Sequence, residues 1–148
     1  MIKKWTGNIE ELWPLLLSAD PEKAAVNKYL PRSDVFVLEH YNKPIGVMCV
    51  TKESDGFEIK NLAVLDTYRG RGYGKKLVWH AACYARELGA VKLSVGTAIT
   101  SGGNLTFYEK QGFKPGRIIK DFFVKNYKKP IIENGELCKD MQLFEKLL

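Results

Sequence analysis

The stretch that most restricts what this chain can fold into is Arg69-Gly70-Arg71-Gly72-Tyr73-Gly74. It follows an apolar segment, Asn61-Leu62-Ala63-Val64, and precedes a run in which Leu77, Val78, Ala81, Ala82, Ala85 and Leu88 recur at helical spacing. Strand, glycine turn and helix in that order aim main-chain N–H groups at one point, the helix N-terminus, where free amides and the macrodipole favour an anion. Arg69, Arg71, Lys75 and Lys76 crowd this helix start, the end at which cations are normally unfavourable. A phosphate or pyrophosphate held there resolves the conflict.

Spacing excludes two common phosphate loops. A Walker loop needs a glycine five residues before Gly74-Lys75 and Ser or Thr after it, but Arg69 and Lys76 stand there. A dinucleotide fingerprint begun at Gly70 and Gly72 would need its third glycine at Lys75.

The chain has 148 residues, 45% of them hydrophobic, which suits a single domain over 1–148 with one well-buried core. The formal charge of +6 is spread along the chain, with dense basic clusters at Arg69 to Lys76 and Lys125 to Lys129. Nucleic acid is not implied, since a solvated basic face is the commoner origin of such clusters. Cys49, Cys83 and Cys138 form no Cys-x-x-Cys pair, and His40 and His80 lack a partner at ligand spacing, so neither a disulfide framework nor a metal site is expected. No apolar run reaches a membrane span, and the start Met-Ile-Lys-Lys-Trp-Thr lacks a signal-peptide core. A soluble, cytoplasmic protein is the expectation.

Along the chain, Ile2 to Thr6 reads as a short strand and Asn8 as the N-cap of a first helix with Leu12, Leu15, Leu16 and Ala19 on one stripe, disturbed at Pro14. Asp20-Pro21-Glu22 signals a second helix that stops before Pro31, with Asp20 as its N-cap. Val35 to Glu39, Ile45 to Thr51 and Phe57 to Val64 read as three antiparallel strands joined by turns at Tyr41 to Pro44 and Ser54 to Gly56. After the long helix, with Gly89 at its C-cap, Val91 to Val95 is expected parallel to Phe57 to Val64. A short helix capped by Ser101 then runs to Gly112, and Phe113 to Val124 and Leu137 to Phe144 read as closing strands around a loop or hairpin tip at Asn126 to Gly135. The fold class is therefore α/β with a mixed sheet.

Arg69, Gly72 and Gly74 fit Arg/Gln-x-x-Gly-x-Gly/Ala after a Leu-Ala-Val strand, and Phe107-Tyr108-Glu109-Lys110-Gln111-Gly112-Phe113 is similar to a Tyr-Glu-Lys-x-Gly-Phe signature. Both resemble the GNAT N-acetyltransferases, whose element order this chain matches over nearly its whole length. The resemblance implies a mixed, mostly antiparallel sheet with helices on both faces. It also implies acetyl-CoA as cosubstrate, with its pyrophosphate on Arg69, Gly70, Arg71, Gly72, Tyr73, Gly74 and Lys75. A bulge at Leu62-Ala63-Val64 would splay the strand and free N–H groups for the thioester. By the same resemblance Tyr108 is the general acid for the departing thiolate, a role a phenol suits because it remains protonated at neutral pH. Glu58, four residues before Leu62, stands where histone-type members carry a general base.

The usual family version has an Asn seven residues before the Tyr, whereas Ser101 stands there and Asn104 lies four before it. Contacts to the cofactor then fall to Ser101, the Gly102-Gly103 amides or Asn104, and Ser101 and Asn104 also suit simple capping. The acceptor is expected to be an amine, bound around Trp13, Tyr29, Asp121, Phe122, Phe123 and Tyr127. A small molecule and a peptide or protein amine both remain open, and the positive net charge argues against polycationic acceptors. A non-catalytic acyl-CoA-binding module of the same fold is the alternative, opposed by the presence of both Tyr108 and Glu58. Exposed strand edges near the C-terminus leave a homodimer open.

Overall fold

In the computed structural model, which describes residues 1–148, the chain runs β1 (Ile2–Lys4), α1 (Trp13–Ala19), α2 (Lys23–Val26), β2 (Ser33–His40), β3 (Lys43–Glu53) and β4 (Gly56–Val64). It continues through α3 (Tyr73–Glu87), β5 (Lys92–Ala98), α4 (Gly102–Lys110), β6 (Lys114–Ile119) and α5 (Phe122–Asn126). The two-residue strands β7 (Ile132–Glu133) and β8 (Glu136–Leu137) precede β9 (Met141–Leu147). Seven strands make one sheet in the order β1-β2-β3-β4-β5-β9-β6, while β7 and β8 form a separate hairpin. Only β4 and β5 pair in parallel; every other neighbouring pair is antiparallel. The mixed, mostly antiparallel sheet agrees with the expectation.

Helices cover both faces, as the alternating apolar residues require. One face packs Phe36, Met48, Phe57, Ile59 and Leu93 against Leu77, Val78, Ala81 and Ala85 of α3 and Tyr108 of α4. The other packs Val37, Val47, Cys49 and Ala63 against Leu12, Leu15, Leu16 and Val26. The β2–β3 hairpin turns on Tyr41 and Asn42, both at positive φ, the geometry that matches strand twist in a two-residue loop.

The centre of the sheet has an irregularity that positions the site. Cys49 pairs with Asn61 and Val50 with Ile59, so Lys60 is an extra residue in β4. It moves the odd-numbered residues to the other face: Phe57 and Ile59 belong to the α3 side, whereas Ala63 belongs to the α1 side. On its other edge β4 pairs with β5 only at Phe57, Glu58 and Ile59, and from Lys60 onward the two strands diverge. The bulge thus lies at Lys60 and not at Leu62-Ala63-Val64, which pair regularly with Met48, Val47 and Gly46.

Other expectations need correction. Asn8 does cap, accepting from Glu10 N at 3.0 Å, but it starts a 3₁₀ turn (Ile9–Leu12), and α1 begins afresh at Trp13 with Pro14 in its first turn, where its missing N–H costs nothing. Asp20 is no N-cap. It is buried and accepts from two phenols, while α2 spans four residues behind Glu22. Phe113 to Val124 is not one strand: β6 stops at Ile119, Asp121 turns the chain at φ 56°, and α5 follows. The final strand is Met141–Leu147, not Leu137 to Phe144. Within Asn126 to Gly135, Asn134 and Gly135 at positive φ form the tip of the β7–β8 hairpin.

Candidate active site

α3 is fifteen residues long and starts behind Gly72, whose φ of 81° only glycine adopts cheaply. The first intrahelical bond at this end is Lys76 N to Gly72 O, which leaves the amides of Tyr73, Gly74 and Lys75 without partners in the helix. No acidic residue stands in its first turn. The surrounding cations are steadied from the side: Arg69 Nε lies 3.2 Å from Asp66, Arg71 sits over the Tyr68 ring at 5.4 Å, and Lys76 over Tyr73 at 5.4 Å.

These amides open into a cleft of about 820 Å³ between the diverging β4 and the start of α4. Leu62, Ala63 and Val64 form one wall; Gly103, Asn104, Phe107 and Tyr108 form the other. Arg69, Gly70, Gly72, Tyr73, Gly74 and Lys75 close the end beside the start of α3. Twelve of the expected residues therefore split clearly. Arg71 lies outside the cleft, drawn to Tyr68, and Ser101 is buried with its hydroxyl against the Glu133 carboxylate, neither capping α4 nor lining the cleft. Asn104 does line it, and its amide donates to Thr97 Oγ1 at 3.3 Å.

Local sequence explains the seat of Tyr108. Gly112 at φ 89° ends α4 in a paired motif, with Phe113 N bonding Tyr108 O at 3.1 Å and Gly112 N bonding Glu109 O at 3.0 Å. Phe113 then packs edge-on to Tyr108 with ring centroids 5.6 Å apart. Tyr108 is 7% exposed, its phenol has no hydrogen-bond partner within the chain, and burial holds that phenol above the usual tyrosine range.

A second cavity, of about 380 Å³, lies past the point where β4 and β5 part. Of the residues expected to bind an acceptor, Tyr29, Phe122 and Tyr127 line it, but Trp13, Asp121 and Phe123 do not. Trp13 instead lies under Lys23, Asp121 receives the Asp140 carboxylate on its N–H, and Phe123 stacks on Tyr127. Glu58 lines this cavity, not the cleft, and pairs with Lys60 at 3.0 Å.

Sequence reasoning missed the buried carboxylate in its lining. Asp20 accepts from Tyr29 at 2.8 Å and Tyr127 at 2.5 Å, and burial raises its pKa despite both bonds. Asn61 donates to Leu16 O and Tyr29 Oη, both at 3.0 Å, while its own Oδ1 is buried and unpartnered. A smaller space of about 230 Å³ joins cleft to cavity. It shares Ile59, Lys60 and Gly96 with the cavity and Leu62, Asn104, Tyr108 and Glu133 with the cleft. Glu133, from the β7–β8 hairpin, had no signal in the sequence, because nothing local marks that hairpin as folding back over α4.

Residues 31–115 match the acetyltransferase (GNAT) domain family. The N-acetyltransferase YvbK of Bacillus subtilis (strain 168) is 38% identical over 133 residues, which cover 89% of this chain and 86% of that protein. The chain belongs to the GNAT acetyltransferase family. Among solved structures, a GNAT family acetyltransferase from Elizabethkingia anophelis with acetyl-CoA bound superposes with a TM-score of 0.95 at 34% identity, covering 100% of this chain and 97% of the other. A Bacillus subtilis acetyltransferase in complex with CoA gives 0.92 at 36% identity, covering 99% and 97%. An IAA acetyltransferase from Bacillus cereus gives 0.91 at 35%, covering 100% and 99%. As a GNAT enzyme the chain is an acyltransferase that moves the acetyl group of acetyl-CoA to an amine. No helix is long and apolar enough to cross a membrane.

Proposed function

We propose that acetyl transfer takes place in the space where cleft and cavity meet, with acetyl-CoA entering from the α3 side and the amine from the α2, α5 and β6 side. The observation that supports this most directly is the shared lining of that space: Tyr108 and Leu62 from the cleft, Ile59 and Lys60 from the cavity. The diphosphate would rest on the amides of Tyr73, Gly74 and Lys75, with Arg69 and Lys75 adding charge. Residues from Lys60 onward lack a β5 partner, so main-chain groups of β4 are free to meet the thioester.

The amine nitrogen, in its neutral form, attacks the thioester carbonyl; the C–N bond forms, the C–S bond breaks, and no covalent enzyme intermediate arises. Tyr108 hydrogen-bonds the departing sulfur and passes it the proton that yields free CoA. Glu58, at the acceptor side, takes the proton lost by nitrogen. Glu133 is a second reading for that base, favoured because it shares the central space with Tyr108 whereas Glu58 does not. The free thiols of Cys49, Cys83 and Cys138 suit a reducing cytoplasm.

The test is CoA release from acetyl-CoA across a panel of amines, followed by a thiol reagent. Amine-dependent release that falls with Tyr108→Phe supports the reading. Tight acetyl-CoA binding with no amine-dependent release would favour the non-catalytic module.

A further inference from the structure

The acceptor cavity is basic. Four cations, Lys28, Arg32, Lys60 and Arg117, line it against two carboxylates, Asp20 and Glu58. Two of the four are already matched: Arg32 lies 2.9 Å from Glu53, and Lys60 lies 3.0 Å from Glu58. Both oxygens of Asp20 are occupied by the phenols of Tyr29 and Tyr127. Lys28 and Arg117 form no ion pair within the chain. They come from unrelated elements, the segment after α2 and the edge strand β6, and converge on this one cavity.

The lining also combines apolar and cationic side chains. Ile59, Lys60 and Gly96 form its opening toward the central space. Ile119, Phe122, Met141 and Leu143 supply apolar wall. A ligand whose amine reaches the central space therefore rests its body on apolar side chains and meets the two unmatched cations elsewhere on the lining. A guanidinium in such a position suits a carboxylate, which it binds through two parallel N–H groups.

Building on acetyl transfer at the central space, we propose that the acceptor is a small primary amine bearing a carboxylate, of amino-acid to dipeptide size, and that Arg117 with Lys28 binds the carboxylate. The volume of about 380 Å³ lies at the small end for ligand sites, which suits such a molecule and not a folded protein surface. A polycationic acceptor would add like charge to a lining already in cationic excess.

The experiment compares matched amines that differ only in the carboxylate: apolar amino acids, their carboxamides, and dipeptides, each assayed by CoA release with the intact protein. The free acids should exceed the carboxamides at least tenfold in kcat/KM. Arg117→Gln should raise KM for the acids and bring the acid-to-amide ratio toward one, while Arg117→Lys retains part of the preference. Acid preference confined to dipeptides assigns the carboxylate to a peptide end; preference among single amino acids assigns it to the free α-carboxylate. Carboxamides that match or surpass the acids, or an acid-to-amide ratio unchanged by Arg117→Gln, would overturn the carboxylate site and leave amine acetylation standing. If no amine, charged or neutral, speeds CoA release while acetyl-CoA still raises the melting temperature, both readings fall.

Discussion

Gly72→Asp separates the folding role of the turn from its binding role. A Cβ at Gly72 meets nothing within 4 Å, so the substitution creates no clash; the cost is the positive φ of 81°. That cost is about 1–2 kcal/mol for alanine and less for aspartate, which adopts left-handed geometry more readily. An acid at the cap of a helix also gains roughly 0.3–1 kcal/mol from the dipole. Gly72→Asp should therefore melt no lower than Gly72→Ala, and each lost kcal/mol lowers Tm by only about 2–4 °C at this chain length.

Binding should move in the opposite direction. A carboxylate at the cap would stand about 5 Å from a diphosphate resting on the first-turn amides, and each charge pair then costs about 0.8 kcal/mol at the dielectric of water and about 3 at an effective value of 20. Two phosphate charges give at least about a tenfold loss in affinity, since ~1.4 kcal/mol is a factor of ten. Calorimetric titration of acetyl-CoA into Gly72→Asp, Gly72→Ala and the parent protein measures the difference directly. The gap between the two variants isolates charge from backbone strain, and it should narrow as salt is raised. Equal affinity of Gly72→Asp and Gly72→Ala in folded proteins would refute the assignment of the diphosphate to this helix end.

Three further outcomes follow from the geometry. Tyr108→Phe should lower kcat by about 10²- to 10⁴-fold, the usual worth of a general acid, and leave the acetyl-CoA dissociation constant nearly unchanged; steady-state rates and titration check the two halves. Glu58→Gln and Glu133→Gln should differ in the pH profile of kcat/KM: the true base loses its acidic limb on substitution, and a profile preserved in Glu58→Gln with loss in Glu133→Gln would transfer the role to the hairpin. Burial raises the folded pKa of Asp20 above its unfolded value, so the folded state holds the proton more tightly. Stability from this group is present at low pH and lost as pH rises through the window from about 3.9 to the folded pKa. Melting curves should then show Asp20→Asn gaining on the parent protein across that window, and parallel curves would contradict the burial argument.

The elements legible in the sequence were those whose signals are local. The Tyr41-Asn42 hairpin, the glycine turn and the Gly112 helix end each rest on a few adjacent residues with unusual φ, and the asparagine and glycines among them announce such positions. What could not be read depended on contacts between distant segments. Asp20 before Pro21 has the chemistry of an N-cap, yet Tyr29 and Tyr127 capture its carboxylate, and Tyr127 lies over a hundred positions away. Phe113 to Val124 looks extended throughout, but its strand ends at Ile119 because β6 is an edge with one neighbour, β9, whose pairing stops at Met141. Ser101 and Asn104 were indistinguishable as cleft residues until the β7–β8 hairpin delivered Glu133 onto the serine.

The bulge at Lys60 links these observations. In sequence, Phe57, Ile59, Asn61 and Ala63 read as one unbroken alternation and give no hint of an interruption. With Lys60 inserted, the first two support α3, whose first-turn amides lack helix partners, and the last two face α1. Asn61 is thereby turned to hold Leu16 O of α1 and the phenol of Tyr29, which lines the second cavity. On the opposite edge, the same strand leaves β5 immediately after Ile59, which opens the space that joins cleft to cavity. A variant that deletes Lys60 would make the pairing regular while keeping Ile59 opposite Val50 and Asn61 opposite Cys49, each on its present face, so it removes the bulge without exchanging the residues that pack against α1 and α3.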